Sequence, residues 1–298
     1  MDRNLTADRL VFEDRAYILS TSEGPGGRGI NASCVLHAFG AVTEAVVPVG
    51  GLNGRHFEQL LGGCGYPVHF VRIAGDIRTN FTITDKTGLT IKLNELGNPL
   101  SKDELDNLAH TVEQHIGRAA WLLLCGSLPP GAPPDFYSRL IDLARRRGVK
   151  TLLDTDGEPL QAGVEAGPTV VAPNQQEAER LLNRALITRT HFLEAAARMQ
   201  KMGAAHVILS LGSRGAVGAS ESQLLEVVPP RIEAVCPIGA GDALVAAFAW
   251  SMEREANFSE ALRWGVAAGT ASAALPGVTF ASRLQTAKIH AQVEIRPV

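Results

Sequence analysis

The sequence has few cysteines, no excess of one charge and no long apolar segment. The cysteines Cys34, Cys64, Cys125 and Cys236 are far apart and include no C-x-x-C pair, which favours reduced thiols and the cytoplasm. A formal net charge of -3, with both signs mixed along the chain, argues against a surface that binds nucleic acid. Residues 1–10 are charged and lack the apolar core of a signal peptide, and no later apolar run approaches the roughly eighteen residues of a membrane span. We therefore expect an unsecreted, cytoplasmic protein that binds neither membranes nor nucleic acid.

The second part of the chain alternates short apolar runs with helix-like stretches. At 298 residues the chain is long enough for one large α/β domain or two ordinary ones. The apolar runs, predicted as buried parallel strands, are 121–125, 151–153, 169–172 and 207–211. The helix-like stretches between them are 134–147, 175–182 and 191–202. This alternation predicts a parallel sheet with helices on both faces and right-handed crossovers.

The first third of the chain has a different pattern, with alternating polar and apolar residues. The alternating segments are 68–73, 80–84 and 89–93, with turn residues at 85–88. They predict a small antiparallel sheet at one edge of the parallel domain, suited to a lid or a subunit contact. We find no linker or internal repeat, so we expect a single domain over residues 1–298, with lid strands from about 5–20 and 68–98.

The most informative short motif is Gly239-Ala240-Gly241-Asp242, which precedes an apolar, helix-like stretch at 243–252. Glycine-rich amides at a helix N-terminus form a binding site for a phosphate or another anion. Asp242, in the first turn, is placed to accept a proton from an attacking hydroxyl. Taken alone, the motif favours a glycine-rich turn in which Asp242 is an ordinary helix cap, and the rest of the chain reverses that preference.

A second glycine cluster extends from Gly24 to Asn31 and matches the pattern G-x-G-x-x-G. A dinucleotide-binding site would require a buried strand before the cluster and an acidic residue about 20 residues after it. The preceding segment is short and the nearby acid, Glu44, comes too early, so an NAD-dependent oxidoreductase is the weaker alternative. The other interpretation is a sugar site, in which glycine amides approach the ligand and Asn31 hydrogen-bonds vicinal hydroxyls.

Several motifs together resemble the PfkB-type, ribokinase-like carbohydrate kinases, most closely the phosphofructokinase and tagatose-6-phosphate kinase branch. The resemblance covers nearly the whole chain. It rests on PGGRGINAS (25–33), CGSLPPG (125–131), LLDTDGEPL (152–160), APNQQEAERLL (172–182), LSLGSRGAVG (209–218), IGAGDALVAAF (238–248) and GVAAGTASAAL (265–275). It implies a parallel sheet sandwiched by helices with a small antiparallel β lid, an ATP- and Mg²⁺-dependent kinase of a ketohexose phosphate, and a homodimer formed through the lid.

The resemblance also assigns roles to individual residues. The catalytic base corresponds to Asp242, with Gly239, Ala240 and Gly241 as the anion hole. The sugar contacts correspond to Asp2, Gly26, Gly27 and Asn31, assisted by Arg28. Arg78 takes the place of the arginine that binds the substrate phosphate, and a fork-shaped guanidinium suits that group.

The remaining assignments concern ATP and magnesium. Asn174 and Glu177 form the N-x-x-E pattern that the family links to magnesium, and one helical turn places them on the same face, where Glu177 would hold a magnesium-bound water. The ATP contacts correspond to Asn174, Ser210, Gly212, Gly215 and Gly241.

Three features depart from the family pattern. Asp2 follows directly after Met1, where the family normally has an opening buried strand, so we expect Asp2 to be poorly anchored. Ala172 stands where phosphofructokinase-like members often have a lysine near ATP, and Cys236-Pro237 replaces a hydroxyl-bearing pair. These departures leave a catalytically weak sugar- or nucleotide-sensing protein as an alternative. Within the kinase interpretation, fructose 1-phosphate, fructose 6-phosphate and tagatose 6-phosphate all remain open.

Overall fold

A computed structural model describes residues 1–254 and 257–298. The strands are β1 (Asp2–Ala7), β2 (Ile18–Gly24), β3 (Ala45–Val49), β4 (Val68–Arg72), β5 (Asn80–Asp85), β6 (Thr90–Asn94), β7 (Trp121–Cys125), β8 (Lys150–Asp154), β9 (Val170–Val171), β10 (His206–Ser210), β11 (Ala216–Ala219), β12 (Leu224–Val228) and β13 (Glu294–Pro297). The helices are α1 (Arg28–Ala38), α2 (Gly51–Leu61), α3 (Lys102–Ile116), α4 (Phe136–Arg146), α5 (Gly157–Glu165), α6 (Gln175–Leu182), α7 (Arg189–Met202), α8 (Ala240–Glu253), α9 (Phe258–Ala273) and α10 (Arg283–His290).

The chain folds into two compact units, each with its own sheet structure. The small unit comprises Met1–Ile30, Glu44–Thr111 and Pro129–Ala132. The large unit comprises Asn31–Thr43, Val112–Leu128 and Pro133–Val298. Among the described residues, no helix combines the length and the apolar character needed to cross a bilayer.

The large unit is built on a sheet with the strand order β13-β12-β11-β10-β9-β8-β7. The strands β7 to β10 are parallel, as the sequence predicts, whereas β11, β12 and β13 add an antiparallel extension that the sequence pattern does not reveal. Consecutive side chains of β8 lie on opposite faces of the sheet. Leu152 belongs to the core that contains Leu244 of α8 and Leu262 of α9, while Leu153 lies against Gly163 of α5. Helices therefore cover both faces of this sheet.

The small unit contains a mixed sheet with the order β2-β1-β5-β6. The hairpins β1–β2 and β5–β6 are antiparallel, as expected for the predicted small antiparallel sheet, whereas β1 and β5 pair in parallel. The reason is that no hairpin joins β1 to β5. Each of these strands forms a hairpin with a different strand, and β1 and β5 then pair with each other in parallel at the centre of the sheet.

The segment 68–73 also has a different partner from the one predicted. It forms β4, which pairs in parallel with β3 in a separate two-stranded sheet. The helix α2 connects β3 to β4, and a β-α-β connection produces a parallel pair. The mixed sheet thus takes β5 and β6 from the predicted lid range 68–98, and its first strand begins at Asp2.

Candidate active site

The Gly239–Asp242 motif forms the start of α8 in the large unit. Gly239 caps the helix with a φ of +79°, and a Cβ atom there would lie 2.8 Å from a ring carbon of Phe280, so both the backbone conformation and the packing require glycine. Asp242 is in the first turn and only 8% exposed. At Gly241, no described atom lies within 4 Å of the position a Cβ would take, apart from those of its chain neighbours and of the backbone of α8 itself. The N-terminus of α8 is therefore open to an approaching group, and its first-turn amides have no helical acceptors.

Ala240 differs from its predicted role in one respect. Its backbone N–H donates to the carbonyl of Pro237 at 3.3 Å, which closes the turn before the helix. This amide is already engaged within the protein, so the geometry favours Gly241 over Ala240 as a donor to an anion. The carbonyl of Pro237 takes part in the turn even though proline lacks an N–H.

Two glycines of α9 set the position of α8. A Cβ at Gly265 would lie 2.8 Å from the carbonyl oxygen of Leu244, and a Cβ at Gly269 would lie 2.7 Å from that of Ala240. The backbones of α8 and α9 therefore approach each other closely at these two glycines. This contact explains why glycines recur at a spacing of four in the segment 265–275, and it fixes the turn that carries Asp242.

Asn31 of α1 makes a direct contact with the predicted base. Its Nδ2 donates to Oδ2 of Asp242 at 2.7 Å, and the two side chains are 6% and 8% exposed. The amide supplies a hydrogen bond to a buried carboxylate, which compensates part of the cost of removing that charge from water. The sequence suggested that Asn31 hydrogen-bonds sugar hydroxyls and gave no sign of this pairing, because 211 positions separate the two residues.

The N-x-x-E pattern begins helix α6. The Asn174 side chain accepts from the Glu177 amide at 3.0 Å, and Oε2 of Glu177 accepts from the Asn174 amide at 2.9 Å. The pair forms a capping box, which gives the pattern a structural role. Glu177 is 4% exposed, and its carboxylate is an oxygen donor of the type Mg²⁺ prefers. This donor set fits a contact through a metal-bound water better than direct coordination.

The predicted ATP residues lie beside this capping box. Ser210 forms a parallel β-bridge with Asn174, and its amide donates to the carbonyl of Pro173 at 3.0 Å. Gly212 begins a short 3₁₀ turn that extends to Arg214. Gly215 follows with a φ of +93°, and any Cβ there would overlap the carbonyl of Val227. The fold therefore brings Ser210, Gly212 and Gly215 close to the start of α6, as the ATP assignment requires.

Arg214, within the same turn, makes contacts that the sequence pattern does not predict. Its guanidinium carbon lies 4.8 Å from the centre of the Phe192 ring, and the group donates to the side chain of Gln175. These contacts connect the 3₁₀ turn to α6 and α7. A basic residue between two glycines was the available signal, but its partners cannot be identified from the pattern.

In the small unit, Asp2 is well held rather than poorly anchored, so that expectation is wrong. It belongs to β1, which pairs with β2 on one side and β5 on the other. Oδ1 of Asp2 accepts from Nδ2 of Asn80 at 3.0 Å. A side chain at Gly26 would overlap the Asp2 carboxylate, so Gly26 provides the space that Asp2 occupies.

The small unit also contains three other predicted sugar-site residues, Gly27, Arg28 and Arg78. Gly27 has a φ of +123°, and Arg28 is the first residue of α1. Arg78 is half-buried in the segment before β5. Its Cβ packs against Gly97, where an added Cβ would lie 3.4 Å from the Cβ of Arg78. The Thr79 amide donates to Oε2 of Glu95 at 2.7 Å, which fixes the backbone next to Arg78.

The second glycine cluster does not have the context of a dinucleotide site. The strand that ends at Gly24 is β2, at the edge of the mixed sheet and antiparallel to β1. A dinucleotide fingerprint closes the first strand of a parallel sheet. The oxidoreductase alternative is therefore not supported.

Comparisons with known proteins agree with this architecture. The family model described as pfkB family carbohydrate kinase matches residues 1–285. The ATP-dependent 6-phosphofructokinase isozyme 2 of Escherichia coli is 34% identical over 270 residues, covering 90% of this chain and 87% of the relative. The 1-phosphofructokinase of Vibrio cholerae is 28% identical over 295 residues, covering 99% and 93%.

Solved structures show the same relationship. The phosphofructokinase-2 of Escherichia coli in complex with fructose-6-phosphate superposes with a TM-score of 0.89 and 31% identity, covering 97% of this chain and 94% of that one. The ribokinase of Arabidopsis thaliana, complexed with ribose and ATP, gives a TM-score of 0.77 at 22% identity, covering 97% and 95%. The ribokinase-like α/β fold predicted from the sequence is confirmed.

Proposed function

The chain belongs to the pfkB family of carbohydrate kinases and is an ATP-dependent kinase of a ketohexose phosphate, and we propose that its acceptor is fructose 6-phosphate. Both the 34% identical relative and the similar structure with bound sugar support this choice. The observation that carries the proposed phosphoryl-transfer chemistry is the buried Asp242 carboxylate in the open first turn of α8, hydrogen-bonded by Asn31.

The proposed chemistry follows from this geometry. Asp242 accepts the proton of the acceptor hydroxyl while the hydroxyl oxygen forms a bond to the γ-phosphorus of ATP. The bond between that phosphorus and the β–γ bridging oxygen breaks, and ADP leaves. The first-turn amides of α8, above all that of Gly241, hydrogen-bond the phosphoryl oxygens as negative charge develops on them.

We assign the nucleotide to the residues around the start of α6. Ser210, Gly212 and Gly215 are proposed to contact ATP, together with Asn174 and Gly241. Mg²⁺, when bound with ATP, would neutralise phosphate charge, and Glu177 would hold it through a water molecule. Asn174 has its side-chain oxygen committed to the Glu177 amide, so we give it the smaller share of metal binding.

We assign the phosphosugar contacts to Asp2, Gly27 and Arg78, with Arg28 assisting. Gly26 contributes by leaving room for the Asp2 carboxylate. Arg78 is proposed to hold the 6-phosphate through paired guanidinium hydrogen bonds. Asn31 is assigned to the sugar hydroxyls as well as to Asp242.

A homodimer and a cytoplasmic location complete the proposal. Apolar side chains are exposed on and beside the mixed sheet: Tyr17 is 62% exposed, Ile18 60%, Leu19 52% and Leu93 55%. Exposed apolar side chains on one sheet favour a protein interface, and we propose a second copy of this chain as the partner. The cytoplasm is where ATP and a phosphosugar are both present.

The deciding experiment is an ADP-release assay with Mg²⁺ and ATP against fructose 6-phosphate, fructose 1-phosphate, tagatose 6-phosphate and unphosphorylated fructose. We expect the highest kcat/KM with fructose 6-phosphate and very little turnover of fructose. A higher value for another phosphosugar would refute the acceptor and keep the kinase. If folded protein released no ADP with any sugar but bound one in calorimetry, the sensing alternative, motivated by Ala172 and Pro237, would replace the catalytic proposal.

A further inference from the structure

Asp2 and Asn80 begin neighbouring strands of the mixed sheet. Asp2 is the first residue of β1 and Asn80 the first residue of β5, and the two strands are parallel with these residues in register. Nδ2 of Asn80 donates to Oδ1 of Asp2 at 3.0 Å. Both residues are half-buried, so the pair is accessible to a ligand yet shielded on part of its surface.

The Asp2 carboxylate is also confined by Gly26. A Cβ at position 26 would overlap the carboxylate carbon and both of its oxygens, so the side chain of Asp2 rests against the bare backbone there. Among the described residues, the hydrogen bond from Asn80 uses Oδ1, and Oδ2 accepts none. The carboxylate is thus held in one orientation with one oxygen available to a new donor.

Asn80 is itself rigidly placed. Its amide donates to the carbonyl of Met1 at 2.9 Å, and Thr79, which precedes it, is 3% exposed and donates to Glu95. Arg78 comes just before Thr79 in the same segment. The short segment 78–80 therefore contains both Arg78, which is proposed to bind the phosphate, and Asn80, which orients Asp2.

We infer that Asn80 is a positioning residue, which fixes the Asp2 carboxylate so that Oδ2 accepts a hydrogen bond from a hydroxyl of the phosphosugar. The inference rests on the proposed function, because it takes Asp2 as a sugar contact. A carboxylate that is free to rotate loses conformational entropy when it binds a ligand, whereas one already oriented by an amide donor loses less. The benefit appears in sugar binding, since Asn80 acts on Asp2 and not on the phosphate that is transferred.

The test is steady-state kinetics of Asn80→Ala with the best phosphosugar of the substrate panel. We expect its KM for the sugar to rise about tenfold, which is the typical effect of losing one hydrogen bond to a charged group. The kcat and the KM for ATP should stay within about twofold of wild type. Asn80→Ser keeps a donor and should recover part of the loss.

Asn94→Ala is the matched control. Asn94 lies opposite Asn80 on β6 and is exposed. Its truncation should leave both KM values unchanged. An equal rise in the sugar KM of Asn94→Ala would show a general weakening of the sheet and overturn the inference.

A double-mutant cycle separates positioning from other effects. Asp2→Ala should raise the sugar KM by itself, and adding Asn80→Ala to it should have no further effect, because the group that Asn80 positions is gone. Additive effects would overturn the inference, as would wild-type kinetics in Asn80→Ala. Absence of turnover in the wild-type chain would instead count against the proposed function. In that case, calorimetric titration of the phosphosugar would give Kd values for the wild type and the three variants, and these would test the double-mutant cycle in place of KM.

Discussion

At the scale of single residues, the proposed catalytic carboxylate of Asp242 accepts a hydrogen bond from Asn31, near the other end of the chain. Asp242→Asn should lower kcat by about 10²–10⁴-fold with little change in either KM, because the amide cannot accept the hydroxyl proton. Asn31→Ala should lower kcat less, by about tenfold, since it removes a donor that orients the base and leaves the base present.

The two variants need one common control. Ser33→Ala removes another buried polar group of α1, one that hydrogen-bonds Thr43. It should therefore leave kcat close to that of wild type. Circular dichroism would establish that all three variants are folded. If Asn31→Ala changed only the sugar KM, Asn31 would be a sugar ligand without a role in orienting Asp242.

His206 predicts a pH dependence of stability. Burial lowers its pKa below the usual 6.5, its Nδ1 is buried with no hydrogen-bond partner among the described residues, and its ring stacks on Phe258 at 4.9 Å. Above pH 6.5 the residue is neutral in both the folded and the unfolded state. As the pH falls from 6.5 toward the lowered value, the unfolded chain binds the proton first, so the free energy of unfolding decreases.

His206→Phe removes the titrating group and keeps a ring for stacking. Urea unfolding at pH 7.5, 6.0 and 5.0, for example, should show a smaller loss of stability in the variant than in wild type. Parallel pH profiles for the two proteins would assign the dependence to other groups.

At the scale of elements, two glycines near Asp242 have opposite roles. Gly269 lets α9 touch α8 at the carbonyl of Ala240, while Gly241 lies at an open helix turn. Gly269→Ala should lower the melting temperature and kcat together, because its methyl group displaces the start of α8.

Gly241→Ala should separate the two properties. Alanine is favoured over glycine in a helix by up to about 1 kcal/mol, so stability should be kept or slightly raised. The methyl group would occupy space proposed for the transferred phosphate, so kcat/KM for ATP should fall. Thermal unfolding and steady-state kinetics of both variants test this pair, and a stable, fully active Gly241→Ala would exclude a close phosphate contact at that turn.

Local pattern was sufficient for some elements and insufficient for others. The strands β7, β8 and β10 and the helices α4, α6 and α7 follow from apolar runs and helical periodicity within a few residues. The pairing of β4 with β3 and the parallel alignment of β1 with β5 do not, because strand partners are chosen by contacts between distant segments. The same limit applies to the hydrogen bonds of Asp2 and Asp242, whose asparagine donors lie 78 and 211 positions away.

At the scale of the whole molecule, the exposed apolar residues of the mixed sheet predict self-association. Leu19 on β2 and Leu93 on β6 are both more than half exposed, and exposed apolar side chains on one sheet favour a protein interface. Light scattering should give about twice the chain mass of 31.7 kDa. Leu93→Asp should shift the mass toward the monomer, because a buried, unpaired carboxylate at the interface is costly.

The exposed Leu284 of α10 provides the matched control for this substitution. It lies in the large unit and is 73% exposed, so Leu284→Asp should leave the mass unchanged. A wild-type chain with the mass of a monomer at micromolar concentration would refute the homodimer. A dimer that persists in Leu93→Asp would place the interface on another surface, and the apolar residues of the mixed sheet would then need a different occupant.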